Sequence, residues 1–306
     1  MACRPVPRAM IGLEPFTPPP GLREALLGWH PFPQVVVPVV VAGCVYAAGV
    51  RRLKLRGLPW PRGRSACFFG GLAAILVALT SSLESYADAL FFVHVVQHTI
   101  LTMVAPPLLA LGTPITLALR AASPPAGRRI VRVVRGRPVA FLGHPVLAWT
   151  LFTFTLYGLY FTPLFDLSLR NQAVHQAIHV HFLAVGLLFW WPVVGLDPTR
   201  WRMSHPARLL YFLLMLPFHA FLGLSIMSSD VLMAPSLGLI ARAWGPSPLA
   251  DQHAAGAILW ASGDLLSVVA AAGIMIGWMA HDQRLAERED RRLDRARSSG
   301  AASPSG

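Results

Sequence analysis

Seven apolar blocks, each long enough to cross a lipid bilayer, govern what this chain can fold into. A bilayer core of about 30 Å takes about 20 helical residues. Runs of that length fall near 32–50, 65–82, 88–112, 145–163, 172–196, 207–227 and 253–280. In lipid every backbone amide needs a partner within its own segment, so such runs fold as helices. The expected fold is an all-α integral membrane protein, a bundle of seven transmembrane helices. Composition agrees, with 55% hydrophobic and 13% charged residues against about 25% charged in soluble chains. Pro38 in the first span and Pro106 and Pro107 in the third should kink or interrupt their helices, because proline lacks an N–H and crowds the preceding turn.

The charged residues orient the bundle. The segments after the first, third, fifth and seventh spans hold 21 of the 26 Lys and Arg residues, and Arg4, Arg8, Arg23, Arg170 and Arg242 make up the rest. Because basic loops stay in the cytoplasm, this alternation puts the N-terminus outside and the C-terminus inside. Three regions follow: a Pro-rich extracytoplasmic tail over 1–30, the transmembrane domain over 31–282, and a charged tail over 283–306 that is helical at first and then disordered. The net charge of +12 therefore marks insertion and contact with membrane lipids, not nucleic acid. Residues 231–243 are too short and too interrupted by Pro and Gly to span, and fit an interfacial segment on the outer surface.

Against this map the eleven histidines sort by depth. An ionisable group inside a span is costly and faces a bundle interior or a cavity. His94 and His98 lie in the outer part of the third span, and His175 and His179 in the outer part of the fifth. His219 falls in the outer half of the sixth, and His253 opens the seventh from outside. Residues four apart on a helix share a face, displaced by about 6 Å along the axis. His94/His98 and His175/His179 are therefore two chelating pairs at matching depth, and imidazole suits Cu, Zn and Fe. His181, two residues past His179, points elsewhere. His144 and His205, each followed by proline, read as helix starts. Asp251 and Gln252, at the outer mouth of the seventh span, are positioned to cap that helix or to coordinate a metal. Asp264, in mid-span, is placed to relay protons or to orient a ligand histidine.

Several classes are excluded. A retinal Schiff base needs a lysine in a span, and the single lysine, Lys54, follows the first span. The three cysteines form no CxxC pair, which removes a thiolate metal cage and a disulfide framework. A dihaem cytochrome needs ligands separated by most of the bilayer thickness. No Walker A, G-x-S-x-G or H-E-x-x-H segment occurs.

The motifs recur in an order that resembles a known family. His94-Val95-Val96-Gln97-His98 leads to Ala105-Pro106-Pro107-Leu108-Leu109 and Gly112-Thr113-Pro114. Thr162-Pro163-Leu164-Phe165-Asp166 leads into His175 and His179, then Phe189-Trp190-Trp191-Pro192 and Asp197-Pro198. Pro217-Phe218-His219 with Gly223, and Asp251-Gln252 with Gly256 and Trp260, complete the series. Over roughly 30–282 the chain is similar to the polytopic CtaG family of cytochrome c oxidase assembly factors. The resemblance implies a non-enzymatic, multi-pass protein of the bacterial plasma membrane that acts on terminal oxidase subunits and handles copper on the outer side. His94, His98, His175, His179, His219 and Asp251 are its motif residues, and His253 joins them by depth as a candidate metal ligand. The alternatives from the residues are a copper permease, or a membrane redox protein binding one haem or a quinone.

Overall fold

The structure, a computed structural model, describes residues 28–240 and 244–301. Most of the Pro-rich tail expected over 1–30, the last five residues of the C-terminal tail expected to be disordered, and three residues of 231–243 lie outside the described residues. Among the described residues every regular element is helical, and six helices are long and apolar enough to cross a membrane. The protein is a multi-pass membrane protein.

Helices α1 (Pro33–Leu55) and α2 (Arg62–Thr80) are the first two candidate spans. Pro38 lies inside α1 without ending it; it frees one carbonyl, close to the helix start. After the short α3 (Ser82–Ala87), the third span is a composite of α4 (Phe91–Thr99), a π-helical stretch over Ile100–Val104, α5 (Ala105–Leu111) and α6 (Pro114–Ala121). Pro106 and Pro107 explain the break. Neither can donate to the carbonyl four residues earlier, and the wide π turn moves those carbonyls aside. The freed Thr102 carbonyl accepts instead from the Trp190 indole at 3.0 Å.

Between α5 and α6, Thr113 adopts a left-handed conformation with φ 48°, unusual for a β-branched residue. Distant contacts hold it there. Asp197 accepts from the Ile115 and Thr116 amides at 3.1 and 2.7 Å, capping α6, and the Tyr46 hydroxyl donates to the Gly112 carbonyl at 2.8 Å. The Arg-rich connection that follows folds as α7 (Pro124–Val134) and α8 (Arg137–Leu142), and α7 buries no residue.

The second half contains α9 (Pro145–Tyr160), α10 (Leu164–Arg170), α11 (Gln172–Val194), α12 (His205–Leu213), α13 (Met215–Met227) and α14 (Pro248–Ala301). Trp201, beyond the end of α11, donates to the Ala140 carbonyl at 2.7 Å and packs on His144, where α9 starts. Phe152 of α9 stacks on Phe189 of α11 at 4.3 Å, and Thr155 meets His181 at 2.9 Å. Helix α9 thus runs back along α11, and α10 returns the chain to the start of α11. Helices α13 and α14 touch through glycines: a Cβ on Gly256 would sit 2.5 Å from the Met227 nitrogen.

Residues 228–240, which include most of the 231–243 segment expected at the outer surface, pack against the helix ends. Ala234, Ser236 and Leu237 are buried. Gln252 accepts from the Met233 amide at 2.8 Å and donates to the Val231 carbonyl at 3.0 Å, while Asp166 accepts from the Ser236 amide at 2.9 Å and its hydroxyl at 2.6 Å. Such tethers satisfy backbone groups that a bilayer surface would leave partly unpaired.

Candidate metal centre

Two helix starts set up the centre. A helix leaves its first amides without partners, and a side-chain oxygen at the N-terminus satisfies them. At α4 that oxygen comes from 160 residues away: Asp251 of α14 accepts from the Phe91 and Phe92 amides at 2.9 and 3.1 Å. At α11, Asn171 accepts from the Ala173 and Val174 amides at 2.9 and 3.2 Å. Each cap fixes the backbone within a turn of the first histidine of a pair, His94 on α4 and His175 on α11.

The four-residue spacing then places the second histidine of each pair. Ring centroids lie 4.1 Å apart for His94/His98 and 4.2 Å for His175/His179, and across the helix interface 5.3 Å for His94/His175 and 5.5 Å for His98/His179. All four are buried. One ring nitrogen from each of His94, His98 and His175 falls within 4.8 Å of the other two. Phe165 closes the pocket beside His94 at 4.9 Å and Phe182 beside His98 at 4.4 Å. Asp88 Oδ1 approaches His175 Nδ1 to 3.7 Å, the side from which a carboxylate can orient a ligating histidine. Between the two histidines of α4, Gln97 donates to the Ala78 carbonyl at 2.9 Å and to the Glu84 carboxylate.

The donor set fits a metal. Neither nitrogen of His98 has a hydrogen-bond partner, and a buried polar atom without one is costly. Nitrogens about 2.0–2.1 Å from a common ion lie about 3.3–3.6 Å apart, so three atoms already within 4.8 Å need only small side-chain rotations. The four candidate donors are imidazoles, with Phe165 and Phe182 against two of them and the Asp88 carboxylate beside His175.

The family model for the cytochrome c oxidase caa3 assembly factor (Caa3_CtaG) matches residues 44–281. The chain belongs to that family. This agrees with the motif order in the sequence. Uncharacterized proteins of Mycobacterium bovis and Mycobacterium tuberculosis are each 36% identical to this caa3 assembly factor family member over 284 residues, and one of Mycobacterium leprae is 35% identical. Each alignment covers 90% of this chain and 43% of the relative, so the chain spans less than half the length of these relatives. No solved structure matches it.

The remaining candidate ligands of this family member have the following surroundings. Asp251 spends both oxygens on the α4 cap, serving a different helix from the one it belongs to. His253 Nε2 lies 3.2 Å from the Ser229 carbonyl, tying α14 to the 228–240 segment. His219 is buried with its Nδ1 unpartnered, and packs so closely on Gly263 that a Cβ there would meet its ring at 2.0 Å. That brings it beside the backbone of Asp264. His181 faces Thr155, away from the centre. Asp88, Phe165 and Phe182 were not singled out as site residues in the sequence; the available signal was an acid shortly before an apolar span whose fourth residue is histidine.

Proposed function

We propose that this protein is an assembly factor for a haem-copper cytochrome c oxidase, binding Cu(I) through His94, His98, His175 and His179 and passing it to an oxidase subunit. The observation that carries the reading is the meeting of three buried imidazole nitrogens from two helices within 4.8 Å, in a chain of the caa3 assembly factor family. Copper is the cargo here. The work assigned to the protein is binding and release, with no bond made or broken in a substrate, so the proposed role is non-enzymatic. Asp251 and His253 contribute by fixing α4 and the 228–240 segment around the site, and His219 by contact along the α13/α14 seam.

The reading includes seven crossings of a bacterial plasma membrane, with the N-terminus and the histidines on the outer side. The course of α9 supports the seventh crossing. Its 16 residues rise about 24 Å, short of the 30 Å core, yet the helix starts beside the end of α11 and delivers the chain to its beginning. The positive-inside rule assigns the arginine-bearing ends to the cytoplasm.

The test is copper binding by protein purified in mild detergent, compared with a His94→Ala/His98→Ala variant, together with oxidase assembly in cells carrying each. Copper retained by the wild type and lost by the variant, with assembly lost in parallel, supports the proposal. Copper uptake into proteoliposomes without any assembly defect would assign the chain to permeation instead.

A further inference from the structure

Away from the histidine quartet, a cavity of about 610 Å³ opens between α5, α11, α12 and α14. Its two ends differ chemically. At one end stand His205 and Arg208 of α12 and His281 and Arg284 of α14; toward the other the walls are apolar and include Trp190, Met103 and Leu266. From His281 to Leu266 is fifteen residues of continuous helix, a rise of about 22 Å. Half of a bilayer with its headgroups is about 20–22 Å, so the cavity has the length of one leaflet.

The basic end is a built feature. Arg208 is half-buried, donating from Nε to the Met203 carbonyl at 3.1 Å and from Nη1 to the Val194 carbonyl at 3.4 Å. Its guanidinium rests on Gly195, whose φ of 58° and missing Cβ make the room, since a Cβ there would lie 2.5 Å from Nη2. Neither Arg208 nor Arg284 has a carboxylate within ion-pair distance among the described residues. Asp282 is the acid close enough to act on His205. A half-buried guanidinium held by carbonyls and lacking an anion is incomplete electrostatically. The apolar wall is left open by small residues of α14: a Cβ on Gly273 or Gly277 would meet nothing within 4 Å.

We propose that this groove binds one anionic glycerophospholipid, with its phosphate at Arg208 and Arg284 beside His205 and His281, and an acyl chain lying along Gly277 and Gly273 toward Trp190 and Met103. Charge complementarity at the end and apolar depth along the length select the occupant together, as basic pockets between membrane helices do for anionic headgroups. The chain end reaches Met103 in the π stretch and Trp190, which holds the Thr102 carbonyl. A bound lipid therefore braces the helix break one turn beyond His98.

The experiment uses the full chain, stripped of lipid in detergent and then supplied with phosphatidylglycerol or phosphatidylcholine in mixed micelles, with bound lipid counted by native mass spectrometry. The wild type is expected to retain about one phosphatidylglycerol and to prefer it to phosphatidylcholine. Arg208→Gln/Arg284→Gln should weaken that binding about 30-fold, or about 2 kcal/mol at 1.4 kcal/mol per tenfold. Gly273→Leu/Gly277→Leu should abolish it by filling the groove, while an unchanged helical circular-dichroism spectrum and gel-filtration profile show that the fold survives. Equal retention of the two lipids, or undiminished retention by the glycine variant, would overturn the proposal. So would displacement by inorganic phosphate alone, which would leave the acyl chain no role, or a Soret band in place of lipid.

Discussion

His98 carries two ring nitrogens that reach no hydrogen-bond partner inside a closed pocket. Such an arrangement costs roughly 1–3 kcal/mol unless a ligand completes it. A metal bound between α4 and α11 removes that cost, so copper should raise the unfolding temperature of the wild type and leave His94→Ala/His98→Ala unshifted. Asp88→Asn should lower copper affinity about tenfold, the usual scale for losing a carboxylate behind a ligand histidine, as read by competition with a Cu(I) chelator. Asp251 separates capping from ligation. Asp251→Asn keeps an oxygen for the α4 amides and should keep copper, whereas Asp251→Ala should lower stability by about 1–2 kcal/mol; loss of copper from Asp251→Asn would make it a ligand. The quartet was legible in the sequence because i,i+4 spacing fixes which side chains share a face. The role of Asp251 was not, because its partners are 160 residues away and only packing brings α14 to the start of α4.

At the scale of elements, the joint between α4 and α5 matters most. Two prolines in sequence announced an interruption; they did not reveal that it would be a π turn whose carbonyl is claimed by Trp190. Helix α11 can approach that turn because residue 186 is glycine, where a Cβ would lie 2.8 Å from Pro106 Cγ and 3.0 Å from the Thr102 carbonyl. Trp190→Phe keeps the aromatic bulk, strands that carbonyl, and should cost about 1–3 kcal/mol in detergent unfolding. Gly186→Val should separate the two helices and lower copper affinity as well, since the same interface carries His98 and His179. If Gly186→Val binds copper normally, the interface does not set the ligand geometry. The charged segment of α14 was legible as a helical extension, and the helix does continue, with Arg291 placed 3.3 Å from Glu287 one turn earlier.

For the whole molecule, the apolar blocks foretold the helical architecture, and six of the seven became helices of full spanning length. The seventh, α9, falls short, because Thr162 and Pro163 end it before the chain turns into α10. Topology can be checked with single cysteines introduced at positions 130 and 230 in a background lacking Cys3, Cys44 and Cys67. Position 230 should be labelled by an impermeant maleimide in intact cells, and position 130 only after lysis; the opposite pattern would place the histidines on the cytoplasmic side. The most direct measurement of the central claim is the Cu(I) stoichiometry of the purified protein beside its His94→Ala/His98→Ala variant. Copper bound by the wild type through nitrogen ligands, as read by X-ray absorption, and weakened at least about 100-fold in a variant that remains folded, is the expected result. Equal copper in both, or none in either, would contradict it.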